Sequence, residues 1–160
     1  MRQVWCARAP RALERSSVRI LAIDPGDDIG VACGSNKLRL EHALLTHPGD
    51  VYPTLSQWTW DIILIERPRL TPNERKTDVI EMGNSLIKCF GRGCRFAGQF
   101  SCSRWVEVTP SEWKGQVDKR IHNRRVLDKL TPAERVLVGT NHNVIDAVGL
   151  LLYAWERFGT

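Results

Sequence analysis

One stretch constrains this chain more than any other: Val18 to Val31, reading VRILAIDPGDDIGV. The apolar run Ile20 to Ile23 ends in Asp24, and Pro25 and Gly26 then turn the chain back through Ile29, Gly30 and Val31. The pattern predicts a buried strand, a tight hairpin and a carboxylate at the strand's tip. Taking a carboxylate out of water is costly unless something compensates its charge, and a metal ion is the usual compensation. The rest of the sequence must then be searched for acids that meet Asp24.

Two candidates stand out. Asp61-Ile62-Ile63-Leu64-Ile65-Glu66 is a second apolar run ending in an acid, followed at once by Arg67 and Pro68. Asp146 lies in His142-Asn143-Val144-Ile145-Asp146, at the start of the last helical pattern. Acids from separate elements can converge on one or two Mg²⁺ ions, as in phosphodiester-cleaving nucleases. Each acid also has a plainer reading. Asp24 can start an Asp-Pro turn, Glu66 can pair with Arg67 or Arg69 at the surface, and Asp146 can serve a loose capping box opened by Asn143.

The remaining pattern supplies a frame. Strands are expected at Val18–Asp24, about Ile29–Gly34 and about Lys37–Leu45, forming an antiparallel meander. A short helix capped by Asp50 and running through Val51, Leu55 and Trp58 precedes a fourth strand, Asp61–Glu66. That helix permits a parallel return beside the first strand, which brings Asp24 and Glu66 to neighbouring tips. Three helix starts share the spelling T-P-x-E, at Thr71, Thr109 and Thr131, each a capping box with proline at the first helical position. The first opens a long helix, Pro72 to Phe90, which Gly91 and Gly93 should stop. A fifth strand, Arg104–Val108, precedes the second capping box. The last helix runs from about Asn143 to Arg157, with Val144, Ala147, Val148, Leu151, Trp155 and Phe158 on its buried face. The sum is an α/β fold: a five-stranded mixed sheet flanked by helices.

Charge gives the second functional signal. The 160 residues carry a formal charge of +5, which favours a polyanionic partner. It is concentrated between Lys114 and Lys129, where Lys114, Lys119, Arg120, Arg124, Arg125 and Lys129 face only Asp118 and Asp128, with His122 among them. Such density neutralises phosphates and makes binding salt-sensitive, though a solvated helix face has the same composition. Arg67, Arg69, Arg75 and Lys76 offer a second basic rim. Trp113 reads as a packing residue. Five cysteines with no C-x-x-C pair indicate neither a zinc site nor a disulfide framework. No apolar run approaches the roughly 20 residues of a membrane span, and a cytoplasmic location is expected. Residues 1–17 read as a basic N-terminal extension preceding a single domain, 18–160, with a loose likeness to an organellar presequence.

The AIDPG turn, the IERP strand end and the HNVIDAVGLLLYA helix resemble the RuvC family of Holliday-junction resolvases, within the ribonuclease H-like superfamily. The resemblance spans roughly Val18 to Trp155, and it lies in the order and placement of motifs that are individually weak. It implies a ribonuclease H-like fold and a metal-dependent endonuclease acting on branched DNA, above all the four-way junction. By the same resemblance Asp24, Glu66 and Asp146 would hold two Mg²⁺ ions, with Mn²⁺ as a substitute. Asp24 would be the central ligand, Glu66 would orient the water, and Asp146 would hold the other ion. The family commonly places a histidine or acid three residues before the last aspartate. Here that position is Asn143 and the preceding residue is His142, so either is a candidate fourth group. Lys114, Lys119, Arg120, Arg124, Arg125 and Arg69 would contact DNA, with Lys114 or Lys119 near the scissile phosphate. A homodimer joined along the long helix is implied, since a junction has two symmetric cleavage points, and small basic chains of this kind often belong to phages or prophages. Two other classes remain: a non-catalytic binder of structured nucleic acid on the same fold, and a ribonuclease acting on RNA or RNA–DNA hybrids. An actin-like phosphotransferase also uses a DPG-like turn, but needs two domains.

Overall fold

The computed structural model describes residues 17–36, 39–47, 49–50, 52–68 and 76–159, with 76–80 as backbone only. Residues 1–16, Arg69, the T-P-N-E start at Thr71 and Arg75 lie outside the described residues. The elements are, in order, β1 (Arg19–Asp24), β2 (Ile29–Ser35), β3 (Arg39–Thr46), α1 (Pro53–Ser56), β4 (Trp60–Glu66), α2 (Lys76–Ala97), β5 (Cys102–Val108), α3 (Pro110–Trp113), α4 (Lys119–Asp128), α5 (Pro132–Val138) and α6 (His142–Phe158).

The strands form one sheet in the order β3-β2-β1-β4-β5. β1 pairs antiparallel with β2, and β2 with β3, as a meander. β4 returns parallel to β1, and β5 parallel to β4. The expected mixed five-stranded sheet is therefore the observed one. β1 reads as a continuous apolar run because both of its faces are covered. Ile20 and Ala22, with Ile62 and Leu64 of β4, pack under α4, α5 and α6. Leu21 and Ile23, with Ile63 and Ile65, pack on the other face with Leu55, Phe96 and Phe100.

This alternation decides where the acids go. Successive side chains of a strand point to opposite faces. Asp24 continues the series Ile20, Ala22, and Glu66 continues the series Ile62, Leu64. Both acids belong to the α6 face. The β1–β4 register pairs Ile23 with Ile65, so Asp24 and Glu66 are the next residues of neighbouring strands. α6 lies close over this corner because β2 has no side chain at Gly30, the partner of Asp24. A Cβ there would come within 2.0 Å of the Asn143 carbonyl oxygen, in the first turn of α6.

Several boundaries differ from the sequence expectation. α2 does not stop at Phe90 but runs to Ala97. Gly93 is a packing position rather than a terminator: a Cβ would meet Pro25 at 2.7 Å and Ile65 at 3.0 Å. α1 is a single turn with no side-chain cap, and Asp50 serves the turn before it, accepting from His47 N at 3.0 Å and Thr46 Oγ1 at 3.2 Å. β5 begins at Cys102, two residues early, because an edge strand with one open face carries no apolar alternation to mark its start. α6 begins at His142, capped by Asn141, whose side chain accepts from Asn143 N at 2.9 Å. It is buried almost all round from Val144 to Leu151, because the sheet covers one side and α4 another, while Trp155 and Phe158 are only half-buried.

The capping boxes at Thr109 and Thr131 form as the spelling predicts. Thr109 N donates to Glu112 at 2.6 Å, and Thr131 N to Glu134 at 2.8 Å. Glu134 also accepts from Leu40 N at 3.3 Å and pairs with Arg39 at 3.5 Å, so α5 shields the β3 edge. Cys33, Cys89, Cys94 and Cys102 are free thiols, and burial pushes the Cys33 thiol up to about 12. Among the described residues no helix is long and apolar enough to cross a membrane.

Gly30→Val should lower stability by about 3 kcal/mol, through overpacking against the α6 backbone. Urea unfolding followed by tryptophan fluorescence reads this directly; an unchanged midpoint would show that α6 does not depend on that contact.

Candidate active site

The three acids are each less than a tenth exposed: Asp24 8%, Glu66 9% and Asp146 7%. Asp24 comes from the tip of β1, Glu66 from the tip of β4, and Asp146 from the second turn of α6, on its sheet-facing side. Lys114, just after α3, joins two of them, with Nζ 3.3 Å from Glu66 Oε2 and 3.6 Å from Asp146 Oδ2. Trp113 Nε1 donates to the same Glu66 oxygen at 2.7 Å. His122, buried on α4, turns Nε2 toward Asp146 Oδ1 at 3.5 Å. Its ring meets the Trp113 ring edge-on, with centroids 4.9 Å apart.

The electrostatics follow from burying three acids near one amine. Burial lifts the Asp24 carboxyl from 3.8 to about 8, and the charges of Glu66 and Asp146 add to the lift, against Lys114 and Lys119. Burial also raises Glu66, although Lys114 and Trp113 partly oppose it. Burial pulls the Lys114 ammonium down, but Glu66, Asp146 and Asp24 outweigh it and hold the ammonium more firmly charged than usual. Burial lowers His122 despite the neighbouring Asp146, and the charges of Lys114 and Arg125 add to the lowering.

The plainer readings of Glu66 and Asp146 do not describe these surroundings. Glu66 faces inward, while Arg67 pairs with Glu107 at 3.7 Å. Asn141, not Asn143, caps α6, so Asp146 is no capping-box acid. Asn143 donates its side-chain amide to the Asp28 carbonyl oxygen at 3.0 Å and so ties α6 to the β1–β2 turn. His142 is exposed at the first position of α6, and among the described residues no hydrogen bond or ion pair joins it to the acids. Lys119, Arg120, Arg124 and Arg125 all lie exposed on α4, whose buried residues are His122 and Val126. Arg69 lies outside the described residues.

Comparison with known proteins bears on the fold. No family model matches the sequence, and no curated protein does. Among solved structures, T. thermophilus RuvC in complex with a Holliday junction substrate superposes with a TM-score of 0.58, at 17% identity over 89% of this chain and 97% of that one. The chain has the RuvC fold. A further Thermus thermophilus RuvC structure gives a TM-score of 0.46 at 17% identity, over 89% of this chain and 98% of that one. The yeast mitochondrial Holliday junction resolvase Ydc2 gives 0.48 at 14% identity, over 89% and 80%. The five-stranded mixed sheet and its flanking helices match that fold.

Sequence reasoning did not foresee the parts played by Trp113 and His122. Trp113 was expected only to pack, yet its indole N–H holds Glu66. In the sequence His122 reads only as a titratable group among basic residues. A signal existed for the histidine: His122 and Val126 stand four apart, on one face of a helix whose other positions are largely charged.

The donor set fits a divalent cation in type and charge. Three buried carboxylates face one ammonium, and Asp146 Oδ1 is buried with no hydrogen-bond partner. Among the described residues no three acidic, histidine or cysteine side chains already form a cation cage; the Lys114 ammonium stands between Glu66 and Asp146 instead.

A linkage effect follows. Asp24 binds its proton more tightly in the folded chain than in the unfolded one. Between about pH 4 and about pH 8 the unfolded chain therefore releases a proton that the folded chain keeps, and stability falls as pH rises. The metal-free protein should lose thermal stability relative to Asp24→Asn across that range, and millimolar Mg²⁺ should restore it. Parallel Tm profiles for the two proteins, with or without Mg²⁺, would contradict this.

Proposed function

We propose that this chain is a metal-dependent endonuclease that cuts branched DNA, with the four-way junction as its substrate. One observation carries the reading: acids from three separate elements converge, buried, around a single lysine at the corner of a RuvC-fold sheet, beside a helix whose open face is basic. Asp24, Glu66 and Asp146 would hold the cation or cations, Mg²⁺ or Mn²⁺. A divalent cation there supplies Lewis-acid stabilisation of the charge that develops on the scissile phosphate.

The chain's own residues have distinct tasks around that centre. Trp113 fixes Glu66 through Oε2, leaving Oε1 to orient the attacking water. Lys114 keeps an ammonium beside the acids, where it meets phosphate charge once a cation has neutralised them. Lys119, Arg120, Arg124 and Arg125 hold the flanking phosphates and set the junction's register against the site.

A junction presents two equivalent strands for cutting, and a two-fold homodimer presents two equivalent sites. α2 suits the dimer face. Among its described side chains, the buried ones, Gly93, Phe96 and Ala97, lie at the C-terminal end, while Ile87 is 71% exposed and Met82, Leu86 and Phe90 are half-buried. That leaves an apolar stripe for a second copy.

The test is cleavage of a synthetic four-way junction with Mg²⁺ or Mn²⁺, beside linear duplex, flap and RNA–DNA hybrid controls. Paired symmetric nicks in the junction, absent with EDTA and in Asp24→Asn, are expected. Tight junction binding with no cutting under either metal would favour a binding protein, and preferential cutting of the hybrid would favour a ribonuclease.

The basic face makes a separate prediction. Replacing Lys119 and Arg120 together by Ala should weaken junction binding and reduce the slope of log Kd against log salt by about 2, one for each phosphate no longer neutralised. An unchanged slope in an anisotropy titration would move the DNA surface away from α4.

A further inference from the structure

Asp146 divides its two oxygens between different neighbours. Oδ2 faces Lys114, on the side of Glu66. Oδ1 faces His122 Nε2 at 3.5 Å, and both of these atoms are shut off from solvent without a hydrogen-bond partner. Two complementary buried atoms in this state carry a desolvation cost that a few tenths of an ångström of approach would remove.

The imidazole is built into this place. His122 is 8% exposed on α4, one turn before the buried Val126. Its ring lies edge-on to Trp113, which itself holds Glu66. α6 leaves space for it at Gly149, where a Cβ would come within 3.2 Å of His122 Nε2 and 2.6 Å of the Trp113 ring. The two polar residues nearer Asp146 in sequence have other positions: Asn143 binds the Asp28 carbonyl, and His142 is exposed.

We infer that His122 is a positioning residue of the acidic centre, its Nε2–H fixing Asp146 through Oδ1 so that Oδ2 is presented toward Glu66 for a cation. The histidine thus enters from α4, across the helix packing, rather than from the helix that carries Asp146. The same Trp113 contact couples the two sides: one aromatic pair steadies Glu66 by hydrogen bond and His122 by ring packing. This inference rests on the nuclease reading for its catalytic consequence, but not for its effect on cation binding.

Two variants separate positioning from packing. His122→Phe keeps a ring against Trp113 and removes the donor. His122→Gln returns an N–H at similar reach. Calorimetric titration of the full chain with Mn²⁺, without DNA, should show about tenfold weaker binding for the Phe variant and recovery of most of that loss in the Gln variant. On a four-way junction with Mg²⁺, kcat should fall about tenfold in the Phe variant with KM unchanged, and recover in the Gln variant. Should the Phe variant fail to fold, His122→Leu read against His122→Gln makes the same comparison. Wild-type Mn²⁺ affinity in a folded donor-less variant, or a Gln variant no better than the donor-less one, would overturn the inference. So would a wild-type chain that binds no Mn²⁺. A wild-type chain that binds Mn²⁺ and cuts no nucleic acid would overturn the nuclease reading alone, and the Mn²⁺ titration would still decide the role of His122.

Discussion

Three carboxylates withdrawn from water beside one ammonium are the constraint from which the rest of this structure is best understood. In a low-dielectric corner burial raises Asp24 and Glu66, and with the neighbouring acids' charges it lifts Asp24 to about 8. A fold optimised for stability alone would have apolar residues at the two strand tips. Retaining acids there lowers the stability of the metal-free chain and concentrates negative potential at one point, a trade seen where a site is kept at the expense of packing.

The sheet makes this concentration possible. A parallel β1–β4 pair puts two strand ends side by side, and alternation sends Asp24 and Glu66 to the same face. α6 then lies over that face, brought close at Gly30 and tied to the β1–β2 turn by Asn143. Around the acids, α3 and α4 contribute side chains of a different kind. Trp113 holds the Glu66 carboxylate, His122 faces Asp146, Lys114 balances part of the acids' charge, and the exposed positions of α4 are left basic. An acidic pocket would by itself repel a polyanion, so under the proposed function the cationic face next to it would let a phosphodiester approach.

Much of this was legible in the sequence, for a definite reason. A strand buried on both faces must be apolar throughout, so an acid at its end is conspicuous, and Asp24 and Glu66 could be picked out from that alone. Asp146 was legible more through its place in a helical pattern than through chemistry. The capping boxes at Thr109 and Thr131 were legible because their hydrogen bonds are local. The contacts of Trp113 and His122 were not, because they join residues 47 and 24 positions from their partners in the chain and no short-range spacing encodes such a meeting. The end of α2 is not legible for a related reason. Gly93 reads as a helix stop in isolation, yet tertiary packing against Pro25 and Ile65 requires it inside the helix. Asp50, expected to cap a helix, serves the turn at His47 instead, because α1 starts at Pro53 with Tyr52 in the N-cap position, two residues beyond Asp50.

The most direct measurement is a crystal structure of the chain grown with Mn²⁺, with anomalous difference density collected at the manganese edge. The account predicts density bounded by the carboxylates of Asp24, Glu66 and Asp146, with the Lys114 ammonium displaced from between the last two. Manganese bound elsewhere, or none at saturating concentration with Lys114 still bridging Glu66 and Asp146, would contradict it.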